Sequence, residues 1–434
     1  MSPSAALMPD FKNAPYWWDA APPMPTPQRA LPSRADVVVV GAGLTGLNAA
    51  LPLARAGRHV VVLDREEPGF CASRRNAGYL GRTFKKSFRE LAAANGVEHA
   101  TAIYRELDAA LRTVLDVVAD EKIDCHAVRC GRFIGATQPA HYEEMAREYE
   151  AIHRNLGFEF RMVSRNEQRT ELATDLYHGG VVLPDLGSIH PGLYHRGLLE
   201  RALAAGVGIH GRTEVLGLDA ETEGVRIATA RGPLTARDVV IATNGYTPKH
   251  FPWHARRVIP FTGYMAATEI LSDNLFNTLI PHRRTVLDSN MNIDFVRPAP
   301  DGARILVGGS TGARLAGPDA IAGRLGRILR RILPQLAEVR FSHVWSGQCA
   351  ATFDMMPHLG RDGHIWFGLG YNFAGLPMGT YFGRKIAQQI LGQADGQTIF
   401  GEAPMPTMPL YTGNPWFVPY VMRYFDWRDR RAAR

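Results

Sequence analysis

Residues 36–64, DVVVVGAGLTGLNAALPLARAGRHVVVLD, constrain this chain more than any other stretch. Val37 to Val40 is a continuous β-branched run, which suits a strand buried on both faces. Gly41, Gly43 and Gly46 follow at GxGxxG spacing. Leu44–Ala56 then reads as a helix, and His59–Leu63 as a second buried strand ending in Asp64. Each glycine has its own task. Gly41 makes a tight turn, Gly43 lets the backbone approach a pyrophosphate, and Gly46 lets helix and strand pack closely. Bare N–H groups and the helix dipole then face the phosphates where Leu44 and Thr45 open the helix. Asp64, 23 residues after Gly41 and followed by Arg65, is placed to accept hydrogen bonds from a ribose. Strand, glycines, helix, strand and terminal acid in this order predict dinucleotide binding. A glycine-rich turn in an ordinary α/β domain is the competing reading.

Composition bounds the rest. A chain of 434 residues is too long for one simple core, so two packed domains are expected. Net charge is +7, but the positive residues are scattered apart from a basic C-terminal tail, which argues against nucleic acid as a partner. Cys71, Cys125, Cys130 and Cys349 form no CxxC pair, so ordinary thiols and no metal are expected. Sparse cysteines suit a reducing compartment. With no secretory leader or transmembrane run in sight, a cytoplasmic location is the expectation.

Along the chain, residues 1–34 form a proline-rich arm carrying Tyr16-Trp17-Trp18. A polar loop containing CASRRNAGYLGR directly follows the second strand and so lies beside the cofactor crevice. Helices follow over 97–119, 140–156 and 191–205, and buried strands return at 207–242. Residues 258–344 alternate as antiparallel strands with one covering helix, 320–333. Strand 365–370, YNFAGL and a helix to Leu391 repeat the opening logic. The expected fold is α/β, with a discontinuous Rossmann-like cofactor domain (35–90, 185–250, 345–395). An α+β substrate domain carrying an antiparallel sheet takes 91–184 and 251–344, and a tail takes 396–434.

Together these pieces resemble the FAD-dependent amine and amino-acid oxidoreductases of the D-amino-acid oxidase superfamily, and within it the gamma-glutamylputrescine oxidase type. The resemblance spans about residues 35–392. Ala72-Ser73-Arg74-Arg75-Asn76-Ala77-Gly78 is similar to the group's A-S-G-R-N-G-G, which implies contacts to pyrophosphate and flavin from Ala72, Ser73, Arg75, Asn76, Ala77 and Gly78. His190-Pro191 is similar to the opening of the helix before the adenine strand, which places Val215 there. Ala242-Thr243-Asn244-Gly245-Tyr246 resembles A-T-N-G-Y, and Trp345-Ser346-Gly347 resembles W-x-G. Gly370, Tyr371, Asn372, Gly375 and Leu376 resemble the glycine-rich turn facing the flavin pyrimidine ring. A helix N-terminus there would stabilise negative charge on the flavin.

Departures from the pattern sharpen the expectation. Arg74 and Ala77 replace glycines, so an extra guanidinium is expected near the cofactor or its entrance. Asp64 is shorter than the usual glutamate. Gly347 aligns with the flavin-linking cysteine of monomeric sarcosine oxidases, implying non-covalent FAD. Cys349 aligns with the arginine that grips the substrate carboxylate in glycine and D-amino-acid oxidases. No lysine lies between Lys249 and Lys385, where sarcosine oxidases keep one for reaction with oxygen.

The resemblance implies oxidation of a C–N bond in a primary or secondary amine, including γ-glutamyl amines and N-substituted amino acids. Hydride passes to the flavin, the imine hydrolyses, and molecular oxygen or another acceptor takes the electrons. Tyr264 and Tyr371 are the candidates to line an amine pocket, with plain core packing as the alternative. Arg297 is the candidate partner of a substrate carboxylate, against a structural ion pair. Arg82 and Lys85 could meet an anionic tail, or be solvated charges. His190 reads as a capping or buried histidine. Three other readings stay open: a D-amino-acid or sarcosine-like enzyme, a nicotinamide-dependent dehydrogenase, and an FAD-binding subunit without independent catalysis. A homo-oligomer is among the expected assemblies.

Overall fold

The computed structural model describes residues 6–82 and 84–432, so the ends of the expected arm and tail lie outside the described residues. Its first sheet grows from strand Arg34–Val40, in which Val37, Val38 and Val39 are wholly buried. That strand pairs in parallel with Val60–Leu63 on one side and with Leu234–Ile241 on the other. Gly208–His210 extends the sheet beyond Val60–Leu63. Ile365–Leu369 joins the far end of Leu234–Ile241 in parallel, and the hairpin Val215–Glu221 with Gly224–Thr229 joins its near end. Parallel strands need crossover connections, and a run of β-branched residues tolerates burial on both faces. The strands of this sheet thus come from three separated parts of the chain. This is a discontinuous Rossmann-like FAD-binding region.

Helix Leu44–Arg55 follows the central strand and packs against helix Gly375–Ile390. Their approach is close enough that a Cβ on Gly383 would lie 2.4 Å from the Thr45 carbonyl oxygen. Both helices begin at the C-terminal ends of parallel strands, so both N-termini open into the same crevice, where ligands of open α/β sheets bind.

Among the described residues the second sheet has nine strands, and it forms the additional substrate domain. Its longest strands, Ile259–Thr268 and Phe341–Ala351, pair antiparallel, with Tyr264 opposite Ser346 and Phe261 opposite Cys349. Helix Gly317–Ile332 covers one face through Ile321, Leu325, Ile328 and Leu329. The sheet is not purely antiparallel: Thr285–Asp288 runs parallel to Arg132–Gly135, and Leu7–Lys12 runs parallel to Phe341–Ala351. The N-terminal arm therefore contributes an edge strand, Leu7–Lys12, to the second sheet. Trp17, further along it, is wholly buried.

The tail forms helix Val418–Ala432. It docks on the 289–292 turn, where Asp429 accepts from the Met291 N–H at 3.1 Å and Asp426 from the Asn292 amide at 3.0 Å. Among the described residues no helix is long and apolar enough to cross a membrane.

Gly383→Val should force the two helices apart, because backbone oxygen cannot yield as a side chain can. Overpacking of this kind costs about 1–3 kcal/mol. A lower urea midpoint with an unchanged slope is the expected result; a wild-type midpoint would contradict this packing.

Candidate active site

The cleft lies between the two sheets, where the glycine turn meets the loop that follows the second strand. Gly41, at φ 108, turns the chain, and a Cβ there would stand 2.9 Å from the Ala242 carbonyl oxygen. Gly43 begins the helix with extended backbone and no side-chain cap of its own. The first helical amide, Leu44 N–H, is taken by the Ser73 hydroxyl at 3.0 Å. Helix Gly375–Ile390 also starts without a side-chain cap. Two helix N-termini thus bring partial positive charge to one cleft, which suits a pyrophosphate at one end and an electron-rich ring at the other.

Asp64 accepts the Ala42 N–H at 2.7 Å on one oxygen and the Glu66 N–H at 2.9 Å on the other. Each oxygen keeps a second lone pair for a ribose hydroxyl. Burial pushes its carboxyl up to about 6 in spite of the two amides. The loop 72–78 lies across the cleft from it. Asn76 stitches that loop: its amide nitrogen donates to the carbonyls of Ala72 and Ser73, each at 3.1 Å, and its oxygen accepts the Gly78 N–H at 2.9 Å.

The cleft wall brings together Gly41, Gly43, Leu44, Thr45, Asp64 and Arg65 from the opening unit. Ala72, Ser73, Asn76, Ala77 and Gly78 come from the loop, and Val215, Thr243 and Asn244 from the returning strands. Tyr371, Gly375 and Leu376 close it. The other expected contacts stand behind this wall. A Cβ on Gly46 would lie 1.9 Å from the Gly41 oxygen, so this glycine serves helix–strand packing. Gly245 presses on Cys349, whose carbonyl oxygen is 2.4 Å from where a Cβ would sit, and Gly347 presses on Arg75. Arg75 is held between Trp18 and Phe70, 4.7 and 4.8 Å from their centroids, and donates to the Phe70 and Ser346 carbonyls. Gly370 donates to Asn244 at 2.9 Å, while Asn372 braces the turn through the Gly370 carbonyl and Thr352 N–H.

The three expected catalytic residues are placed differently. Tyr264 faces the helix-covered side of the second sheet, where its hydroxyl donates to Ala313 O at 2.8 Å and accepts from Leu315 N–H. It does not line the cleft. Tyr371 does line it, but its hydroxyl is engaged with Gly368 O and Thr45, both at 2.6 Å. Arg297 is wholly buried and meets neither a carboxylate nor the cleft. Its guanidinium donates to Ala77 O at 2.7 Å, to Gly78 O and Ile189 O at 3.1 Å, and to Pro298 O at 3.0 Å. The competing ion-pair reading is also set aside, since all four partners are carbonyls. Arg74 turns away from the cofactor entrance, donating to His195 Nδ1 at 2.9 Å and to the carbonyls of Ala21 and Pro22 in the arm. His190 caps its helix by accepting the Leu193 N–H at 3.1 Å.

Sequence reasoning missed several wall residues. Tyr79 and Phe373 stand inside the quoted stretches CASRRNAGYLGR and YNFAGL, so taking every residue of those stretches would have found them. Thr213 and Glu214 adjoin Val215, whereas Gln348 and Pro248 carry no local signal. Cys71 and Cys349 also face the cleft, and burial raises their thiols to about 12 and about 11.

Parallel strands with a glycine turn, an acid after the second of them and a second helix terminus opposite form a dinucleotide-binding cleft. The chain belongs to the family described as FAD dependent oxidoreductase, which it matches over residues 36–389. It is 31% identical over 402 residues to gamma-glutamylputrescine oxidoreductase of Escherichia coli, covering 91% of this chain and 93% of that protein. It is 29% identical over 388 residues to the probable oxidoreductase OrdL of Haemophilus influenzae, covering 86% and 87%. Its fold is similar to that of glycine oxidase from Geobacillus kaustophilus, with TM-score 0.71 and 21% identity over 87% of this chain and 99% of that one.

Ribose hydroxyls favour an ionised acceptor, so cofactor binding should lower the Asp64 carboxyl below its free-protein value of about 6. By linkage, FAD affinity of the apoprotein is then full above that value and falls below it, by up to about tenfold per pH unit. Fluorescence titration with FAD from about pH 8 to about pH 5 should show this fall in the wild type and a flat profile in Asp64→Asn. Equal slopes in both proteins would remove Asp64 from the ribose site.

Proposed function

We propose that the protein uses non-covalent FAD to oxidise the C–N bond of a primary or secondary amine. The observation that carries this reading is the cleft beside Tyr371, where the wall residue Phe373 meets the Phe261 ring at a tilt with centroids 5.0 Å apart, and Cys349 stands where the resemblance implies a cationic anchor. An apolar wall of this kind disfavours an ammonium and so favours the neutral amine that can release hydride. FAD, when bound, supplies the hydride acceptor, and the protein needs little acid–base equipment of its own. The uncapped N-terminus of helix Gly375–Ile390 supplies positive potential at the closing end of the cleft. Tyr79 is half-buried with its hydroxyl donating toward the carbonyls of Val286 and Val296, so it shapes the wall. Water then hydrolyses the imine to a carbonyl and either ammonia, from a primary amine, or a smaller amine, from a secondary one.

Non-covalent attachment is supported by glycine at position 347 and by protonated thiols at Cys71 and Cys349, since a thiol rather than a thiolate is a poor nucleophile. The likeness to gamma-glutamylputrescine oxidoreductase supports a substituted aliphatic amine over a small D-amino acid. Either molecular oxygen or another acceptor completes the cycle.

Anaerobic mixing of the flavin-loaded protein with putrescine, γ-glutamylputrescine, sarcosine and D-alanine tests the reading. Bleaching of the flavin band by the amines is the expected result. Bleaching by D-alanine alone would overturn it, and no bleaching by any of the four would point to an FAD-binding subunit. Acid precipitation should leave yellow flavin in the supernatant; flavin in the pellet would contradict non-covalent binding.

A further inference from the structure

Each arginine that the sequence offers to an anionic substrate group is committed elsewhere. Arg74 is spent on the arm and His195, and Arg297 on four carbonyls. Arg82 is paired with Asp108 and, through two nitrogens, with Asp185, and it lies over Phe158. Lys85 is different. Among the described residues its ammonium has no hydrogen-bond or ion-pair partner, and it stands 4.6 Å from the centroid of the Phe373 ring. Phe373 is part of the cleft wall, at φ 77 in the turn before helix Gly375–Ile390. The lysine therefore reaches the edge of the cleft from the loop that follows the flavin segment.

We propose that Lys85 receives the carboxylate of an amine substrate, selecting amines that carry a carboxylate remote from the reacting C–N bond. The proposal rests on the amine-oxidation reading above. Phe373 and Phe261 would pack on the methylenes between the two ends of such a substrate. A compact ammonium on a flexible stem suits a single carboxylate that needs no bidentate grip. The acid whose charge Lys85 feels is Asp288, which is already engaged by Arg331, by the side-chain amide of Asn290 and by the N–H of Asp294. Burial and the neighbouring Asp294 charge raise the Asp288 carboxyl, and with its oxygens taken by those donors it makes no ion pair with Lys85. Burial also lowers the Lys85 ammonium to about 8, which leaves it mostly charged at pH 7 and without a protein anion to neutralise it.

The test compares the flavin-loaded wild type with Lys85→Met and Lys85→Arg, each at full flavin content. Hexanoate and hexanamide serve as inert probes, read by perturbation of the flavin absorption band. Hexanoate should bind about tenfold or more weakly to Lys85→Met and recover in Lys85→Arg, while hexanamide binds all three alike. Under anaerobic conditions the concentration of 6-aminohexanoate that half-reduces the flavin should rise in the same ratio, with hexylamine unchanged. Equal hexanoate binding in wild type and Lys85→Met overturns the proposal. So does an equal shift for 6-aminohexanoate and hexylamine, which leaves amine oxidation standing. Failure of both amines to reduce the flavin, with hexanoate behaving as expected, supports the carboxylate site and leaves amine oxidation to be decided by the four-compound comparison above.

Discussion

Four consecutive carbonyls, those of Arg75, Asn76, Ala77 and Gly78, turn away from the cleft, and each meets a buried donor from a distant part of the chain. The Trp345 indole donates to Arg75 O and the Trp17 indole to Asn76 O, both at 2.9 Å. Arg297 takes Ala77 O at 2.7 Å and Gly78 O at 3.1 Å. A buried carbonyl without a donor costs about 1–3 kcal/mol, so an irregular loop can lie inside the protein only if such partners are supplied. Here they come from the arm and from two strands of the second sheet, Phe295–Pro298 and Phe341–Ala351. The cofactor loop is thereby the joint between both sheets and the N-terminus, and Gly78, at φ 67, leaves the space that Arg297 occupies.

The same accounting explains where the arginines went. A net charge of +7 suggests cations ready for an anionic ligand, yet Arg74, Arg75 and Arg297 donate to backbone carbonyls deep in the structure. Positive potential in the cleft is supplied instead by the amides of two helix N-termini, which need no counter-ion when the cleft is empty of charge. That arrangement leaves Arg65 in the cleft wall and Lys85 at the edge of the cleft as the nearby cations.

What was legible in the sequence is what local chemistry determines. Residues 36–64 could be read almost residue by residue, because glycine spacing, the valine run and the terminal acid act within one βαβ unit; only helix and strand ends moved, to Leu44–Arg55 and Val60–Leu63. Tyr264 was misplaced because both faces of its strand are buried. Alternation separates the faces but cannot say which one meets the cleft, and the pairing of Tyr264 with Ser346 sends its side chain under helix Gly317–Ile332. Arg297 and Arg74 were misread because their partners are carbonyls more than a hundred residues away or in the arm, and carbonyls leave no trace in side-chain patterns. Gly245 and Gly347 were found through resemblance, but their role is steric contact with Cys349 and Arg75 rather than with the cleft.

If the outward carbonyls hold the loop in its cofactor-ready shape, weakening a donor should loosen FAD without unfolding the protein. Calorimetric titration of apoprotein with FAD in Trp17→Phe and Arg297→Lys is the direct measurement. Loss of one buried hydrogen bond corresponds to an affinity about tenfold weaker, and Arg297→Lys, which gives up the planar fork, should lose more. Wild-type affinity in both variants, with the circular dichroism of each unchanged, would contradict the account.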